Sequence, residues 1–242
     1  MITSFVEKPE LHDPILIEGL PGIGFVANIA CLHLINELKA KKFCEIHSSS
    51  FQALSLTTEK GLMRPPVNEL YYVHDEGYSH DLIILFGNTQ ALSAQGQYEL
   101  CDKILDIAED CGSRMVITIG GLKRDYVPSS PKIYCTATDL DTLQETMRLG
   151  ADKIQGRVFG VAGLLLGSAK LRGIRGFCIL SETPGLYPDA LAAKVALEFL
   201  SRYLAVAIDL SRLDTAVEAL SKLMGHLLHS DQLKKSRQPG FI

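Results

Sequence analysis

Short apolar runs that end in glycine-rich turns, each followed by apolar residues at helical spacing, set the pattern of this chain. Pro14-Ile-Leu-Ile17 stops at Gly19-Leu-Pro-Gly-Ile-Gly24, after which Phe25, Val26, Ile29, Leu32, His33 and Ile35 to Leu38 recur on a helical period. This predicts strand, tight turn, helix. Asp81-Leu-Ile-Ile-Leu-Phe86 is a continuous apolar run, as expected of a strand covered on both faces. Gly87-Asn-Thr-Gln90 ends it, and Ser93 is placed to cap a helix carrying Tyr98, Leu100, Cys101, Ile104, Leu105 and Ala108. Arg114-Met-Val-Ile-Thr-Ile119 repeats the pattern up to Gly120-Gly121, and Gly176-Phe-Cys-Ile-Leu180 repeats it again up to Ser181-Glu-Thr-Pro-Gly185.

Between these lie a strand over 133–137, a helix over 139–147 and a small-residue segment over 156–173. Earlier, 44–56 and 62–74 hold β-prone pieces on either side of a polar turn at 57–61, which predicts antiparallel hairpins. Two helices, over 188–207 and 210–228, close the pattern, and their apolar faces (Leu197, Phe199, Leu200, Leu204, Val206 and Leu220, Leu223, Leu227) are core or interface, with core favoured. Buried strands alternating with helices predict an α/β fold in three layers, α/β/α, with a mostly parallel or mixed sheet. One domain over 1–229 is expected, followed by a flexible tail over 230–242 that is polar, basic and broken by Pro and Gly.

Composition narrows the function classes. The chain has 242 residues, 47% of them hydrophobic and 21% charged, enough to bury a large core. A net charge of −4, with no basic run beside an aromatic platform, argues against nucleic-acid binding. The longest stretch free of Asp, Glu, Lys and Arg, 19–36, contains proline, glycines, two Asn and a His, and so is no membrane span. The opening MITSFVEKPE lacks the order of a signal peptide, and a cytoplasmic location is expected. Six scattered cysteines without a C-x-x-C pair are expected to be reduced and buried. His226 and His229, with Asp231 nearby, share a helix face but lack an evident third metal ligand, so no metal is expected.

In open α/β sheets, loops at the carboxyl ends of the strands form the crevice. Here they are the segments 19–24, 87–90, 120–130 and 181–189. Gly22-Ile-Gly24-Phe-Val-Ala27 fits a dinucleotide fingerprint, with Glu45 near the expected place of a ribose-binding acid. Against that, Gly19-Leu-Pro-Gly intervenes between strand and motif, and the favoured reading is that Gly19, Gly22 and Gly24 allow unusual backbone angles and close packing, with Pro21 stiffening the turn. Glu182 and Asp189 flank a Pro/Gly loop as possible paired carboxylates, with Lys123 or Arg124 to receive an anion, and bracing or helix capping is the favoured reading of both. No G-x-S-x-G, Walker or H-E-x-x-H motif is present.

Taken in order, Gly19-Leu-Pro-Gly-Ile-Gly24, Gly87-Asn-Thr-Gln90, Gly120-Gly-Leu122, Gly160-Val-Ala-Gly-Leu-Leu-Leu166 and Leu180-Ser-Glu-Thr-Pro-Gly-Leu-Tyr-Pro-Asp-Ala190 resemble the archaeal branch of the proteasome assembly chaperone family, of the second-chaperone type. The resemblance spans roughly 10–225. It implies a fold similar to that of purine nucleoside phosphorylases, a homo-oligomer, no cofactor, and binding of proteasome α-subunits in place of catalysis; fold likeness does not import phosphorylase activity. Family members that end in hydrophobic-Tyr-X dock that tail between α-subunits, and Phe241 and Ile242 match it in part, with Gly240 in the hydrophobic place. The alternative is a small-molecule or nucleotide-binding enzyme using the crevice around Gly22, Gly24, Asn88, Gln90, Glu182 and Asp189.

Overall fold

The computed structural model describes residues 1–57 and 60–217. The chain divides into a unit Met1–Ile208 and a second that begins at Asp209. In the second, 211–217 is helical, and Asp209 Oδ1 caps it by accepting from the Ser211 amide at 2.9 Å. The histidine pair 226 and 229, Asp231, and the terminal Phe241 and Ile242 lie outside the described residues.

The first unit opens with β1 (Ile2–Phe5), β2 (Ile15–Gly19), a 3-10 turn at Ile23–Phe25, α1 (Val26–Glu37) and β3 (Lys41–His47). A small hairpin of β4 (Leu56–Thr57) and β5 (Met63–Arg64) precedes β6 (Asn68–Val73) and β7 (Leu82–Gly87). Next come α2 (Ala94–Asp110), β8 (Met115–Lys123), β9 (Ile133–Ala137), α3 (Leu140–Arg148) and β10 (Asp152–Lys153). The unit ends with α4 (Gly160–Leu171), β11 (Arg175–Thr183) and α5 (Ala190–Leu204).

Nine strands form one mixed sheet in the order β1-β3-β6-β7-β2-β8-β11-β9-β10. Its centre, β7-β2-β8-β11, is parallel, and these are the continuous apolar runs of the sequence. The flanks bring in antiparallel pairs: β6 on β7, β3 on β6 and β1 on β3 at one side, and β9 on β11 at the other, where the edge strand β10 lies parallel to β9.

Side chains alternate across the pleat. Leu16, Ile83, Leu85 and Val116 share a core with Leu100, Ile104 and Leu105 of α2 and with Leu165 and Ala169 of α4. On the other face Phe177 packs edge-on against Phe199 and Tyr203, with centroids 6.3 and 4.6 Å away, and α1 packs on α5. Helices therefore cover both faces, and the three-layer α/β/α arrangement holds. Ser93 caps α2 as expected, accepting from the Gly96 amide at 3.0 Å. All six cysteines are free; five are buried and Cys111 is half-buried.

Several elements differ in detail from the sequence expectations. The small-residue segment contains α4, and Gly163 is required within it because a Cβ there would overlap the Val158 carbonyl. Arg172, just past α4, ties that helix to α2 through Asp102 at 3.0 Å and Asp106 and Glu109 at 2.8 Å. β8 runs on to Lys123 and β11 to Thr183, so Gly120, Gly121, Ser181 and Glu182 are strand residues where the sequence suggests loops.

Candidate functional site

The four parallel strands end along one edge, and the segments that follow them meet there. After β2 the chain turns through Leu20, Pro21 and Gly22 into the 3-10 turn and α1. Gly19 is needed for packing: a Cβ would overlap the side chain of Cys31 on α1. Gly24 is needed for conformation and space, with φ +63° and a Cβ that would come 2.7 Å from Thr183 Oγ1. Gly22 is extended at φ −151°, and nothing lies within 4 Å of a Cβ there. Backbone strain and close packing thus explain two of the three glycines. Gly24→Ala is expected to cost about 1–2 kcal/mol and Gly22→Ala no more than about 0.5 kcal/mol, as read from urea midpoints; equal losses would contradict this division.

The neighbouring polar side chains are occupied in holding the edge together. Gln90 Nε2 donates to the Pro21 carbonyl at 2.6 Å while its Oε1 accepts from the Val161 amide at 3.2 Å, linking the turn after β2 to the first turn of α4. Asn88 Oδ1 accepts from the Val67 amide at 3.1 Å. Asn28, not singled out from the sequence, donates to the Gly19 and Gly87 carbonyls at 3.2 and 2.8 Å and so joins the ends of β2 and β7. Glu45 sits on β3, ion-paired with Lys42, which also reaches Glu69 at 3.1 Å.

Glu182 and Asp189 are built into separate structural networks. Buried Glu182 accepts from Arg124 Nε at 2.7 Å and from the Lys132 amide at 3.1 Å, and Arg124 also donates to the Tyr134 hydroxyl at 2.9 Å. Burial pushes the Glu182 carboxyl up, but the Lys132 amide and the Arg124 guanidinium outweigh it and leave the group below the ordinary glutamate value. Asp189 Oδ1 accepts from the Ala192 amide at 3.0 Å, capping α5, and Oδ2 accepts from Thr183 Oγ1 at 2.7 Å. Its own amide donates to the Gly24 carbonyl at 2.8 Å, closing the turn after β2 against the start of α5.

A cleft of about 350 Å³ opens between the ends of β2 and β8 and the start of α4. Leu20, Ile119, Leu122, Val158, Phe159 and Leu180 supply its apolar wall, Gln90 a polar one, and Lys123 and Arg157 are exposed residues of its lining. Glu18, also in the wall, is only 1% exposed. Its Oε1 accepts from the Leu20 amide at 2.8 Å, and its Oε2 makes no hydrogen bond of good geometry among the described residues, the nearby Ile119 amide acting on the carboxyl only weakly. Burial pushes this carboxyl up to about 8, against the pull of the Leu20 and Ile119 amides. Sequence reasoning misses Glu18 because an acid at the end of an apolar run looks like the solvated end of a strand.

Around this edge the loops expose large apolar side chains: Phe25 after β2, Leu92 after β7, Tyr126 and Val127 after β8, Phe159 before α4 and Leu186 after β11. Exposed apolar groups gathered at one edge are a feature of interaction surfaces. Among the described residues no group of three or more His, Cys, Asp or Glu is placed to hold a metal ion, and no helix is long and apolar enough to cross a membrane.

Residues 16–228 match the model of the PAC2 family. The uncharacterized protein MJ1210 of Methanocaldococcus jannaschii is 33% identical over 227 residues, which is 93% of this chain and 87% of that protein. The crystal structure of Pyrococcus furiosus PbaB, an archaeal proteasome activator, aligns with a TM-score of 0.88 at 35% identity, covering 93% of this chain and 98% of PbaB. Pyrococcus furiosus PbaA, an archaeal homolog of proteasome-assembly chaperone, shares the fold with a TM-score of 0.79 at 24% identity, covering 97% of this chain and 94% of the other.

Proposed function

Since the chain belongs to the PAC2 family, we propose that it is a non-enzymatic adaptor of the proteasome, binding α-subunits as an assembly chaperone or an activator. The observation that carries this reading is the likeness to PbaB, an archaeal proteasome activator, in sequence and structure over nearly the whole of both chains. Two features of the crevice support it. Glu182 and Asp189 are engaged in bracing and capping, which leaves them poorly placed for acid–base work. The exposed apolar side chains along the same edge give a protein partner something to bury.

In this reading the protein acts in the cytoplasm as a homo-oligomer, without nucleic acid or membrane as partner. Phe241 and Ile242 supply a second contact, their side chains entering a groove between α-subunits. Native mass spectrometry of the protein mixed with α-subunits tests both parts. A defined complex is expected, and deletion of Phe241 and Ile242 is expected to weaken it; undiminished binding by the truncated chain rules out the tail contact while leaving the body contact standing.

A further inference from the structure

The cleft beside Glu18 is not needed for an adaptor role, and its chemistry is unlike that of a simple packing defect. Its lining includes a carboxyl group, that of Glu18, which is 1% exposed and whose Oε2 makes no hydrogen bond of good geometry among the described residues. An unpaired buried polar atom costs about 1–3 kcal/mol, and its position in a cavity wall gives a ligand a group to satisfy. Leu122, Val158 and Leu180, which pack together, give the cleft an apolar wall. The lining also carries the exposed cations Lys123 and Arg157, neither of which has an ion partner among the described residues, and the first turn of α4 at Phe159, Gly160 and Ala162. α4 is twelve residues long and its N-cap residue, Phe159, supplies no side-chain cap; Gln90 Oε1 takes up the Val161 amide, and the helix dipole with the other first-turn amides adds to the attraction for an anion.

We propose that this cleft binds a small bipolar molecule: a carboxylate held by Lys123, Arg157 and the α4 amino end, an apolar body against Leu122, Val158 and Leu180, and a hydroxyl or carbonyl bonded to Glu18 Oε2. The order of the three parts follows from burial, because the cations are exposed and Glu18 is not. The volume, about 350 Å³, lies at the small end of ligand pockets. Titratable neighbours leave the Glu18 end free of competing charge: the thiols of Cys31, Cys101 and Cys178 are all pushed up by burial, the latter two to about 12, and stay neutral. The proposal does not rest on proteasome binding, although Phe159 lies both in the cleft wall and among the exposed apolar side chains of the edge, and the failure of one leaves the other standing.

The test uses 3-(4-hydroxyphenyl)propionate as probe on the full chain, with 3-phenylpropionate lacking the hydroxyl and 3-(4-hydroxyphenyl)propionamide lacking the charge. Isothermal titration should give saturable binding of the first, with amide shifts in NMR spectra at 120–122 and 160–162. Removing either end of the probe should weaken binding on the order of tenfold. In Glu18→Met the hydroxylated and unhydroxylated acids should bind alike, whereas Glu18→Gln should retain the preference; Lys123→Ala with Arg157→Ala should abolish the preference for acid over amide. The NMR spectrum of each variant reports its fold alongside. No saturable binding at about 10 mM probe, a range that covers even weak fragment affinities, or equal affinity of the wild-type chain for all three probes, overturns the proposal.

Discussion

Glu18→Gln is expected to gain about 3 kcal/mol of stability relative to the wild-type chain as the pH rises from 5 to 8. Burial raises this carboxyl from 4.5 to about 8 in the folded protein. The folded chain therefore holds a proton that the unfolded chain releases above its ordinary value, and stability falls as pH rises between the two. The sign is opposite to that of a salt-bridged carboxylate such as Glu182, whose lowered value stabilises at neutral pH and is lost in acid. The amide side chain of the variant keeps a carbonyl oxygen to accept from the Leu20 amide and has nothing to titrate. Urea midpoints of both proteins at pH 5 and 8 read the effect: curves that stay parallel would mean that Glu18 is ionised or reached by water in the folded state.

Asp189→Ala is expected to destabilise by about 2–4 kcal/mol, because it removes a helix cap and leaves the Thr183 hydroxyl without its acceptor. Asp189 is 7% exposed, and its two oxygens serve the Ala192 amide and Thr183 Oγ1. Thr183 Oγ1 in turn accepts from the Gly185 amide at 3.1 Å, so the end of β11, the loop and the start of α5 share one network. Asp189→Asn keeps an oxygen for the cap and should lose less than half as much. Thermal or urea unfolding distinguishes the two. A small effect in Asp189→Ala would mean that the loop re-pairs through water and that the crevice edge is less fixed than its hydrogen bonds imply.

The central sheet is legible in the sequence because parallel strands covered on both faces are written as uninterrupted apolar runs. The stretches ending at Ile17, Phe86, Ile119 and Leu180 are β2, β7, β8 and β11. Strand direction is not legible at β9, which runs antiparallel to β11, because a five-residue strand carries no mark of the direction in which it pairs. β1 leaves no signal because an edge strand with exposed residues such as Ile2 and Phe5 has no buried face to impose a pattern. α4 is hidden by its glycines, which weaken helix propensity yet permit the approach to Val158. In the crevice, bracing and capping are the readings the sequence favours for Glu182 and Asp189, and their hydrogen bonds agree, although Glu182 belongs to β11 and only Asp189 to the loop. The burial of Glu18 depends on β8 and α4 closing over it from distant parts of the chain, and nothing in Ile-Leu-Ile-Glu-Gly announces that.

Native mass spectrometry of the purified chain mixed with archaeal proteasome α-subunits decides whether it is a proteasome adaptor. A discrete assembly containing both proteins is expected, and it should persist when the cleft is altered by Glu18→Gln. Absence of any mixed species at tens of micromolar of each protein would contradict the adaptor role.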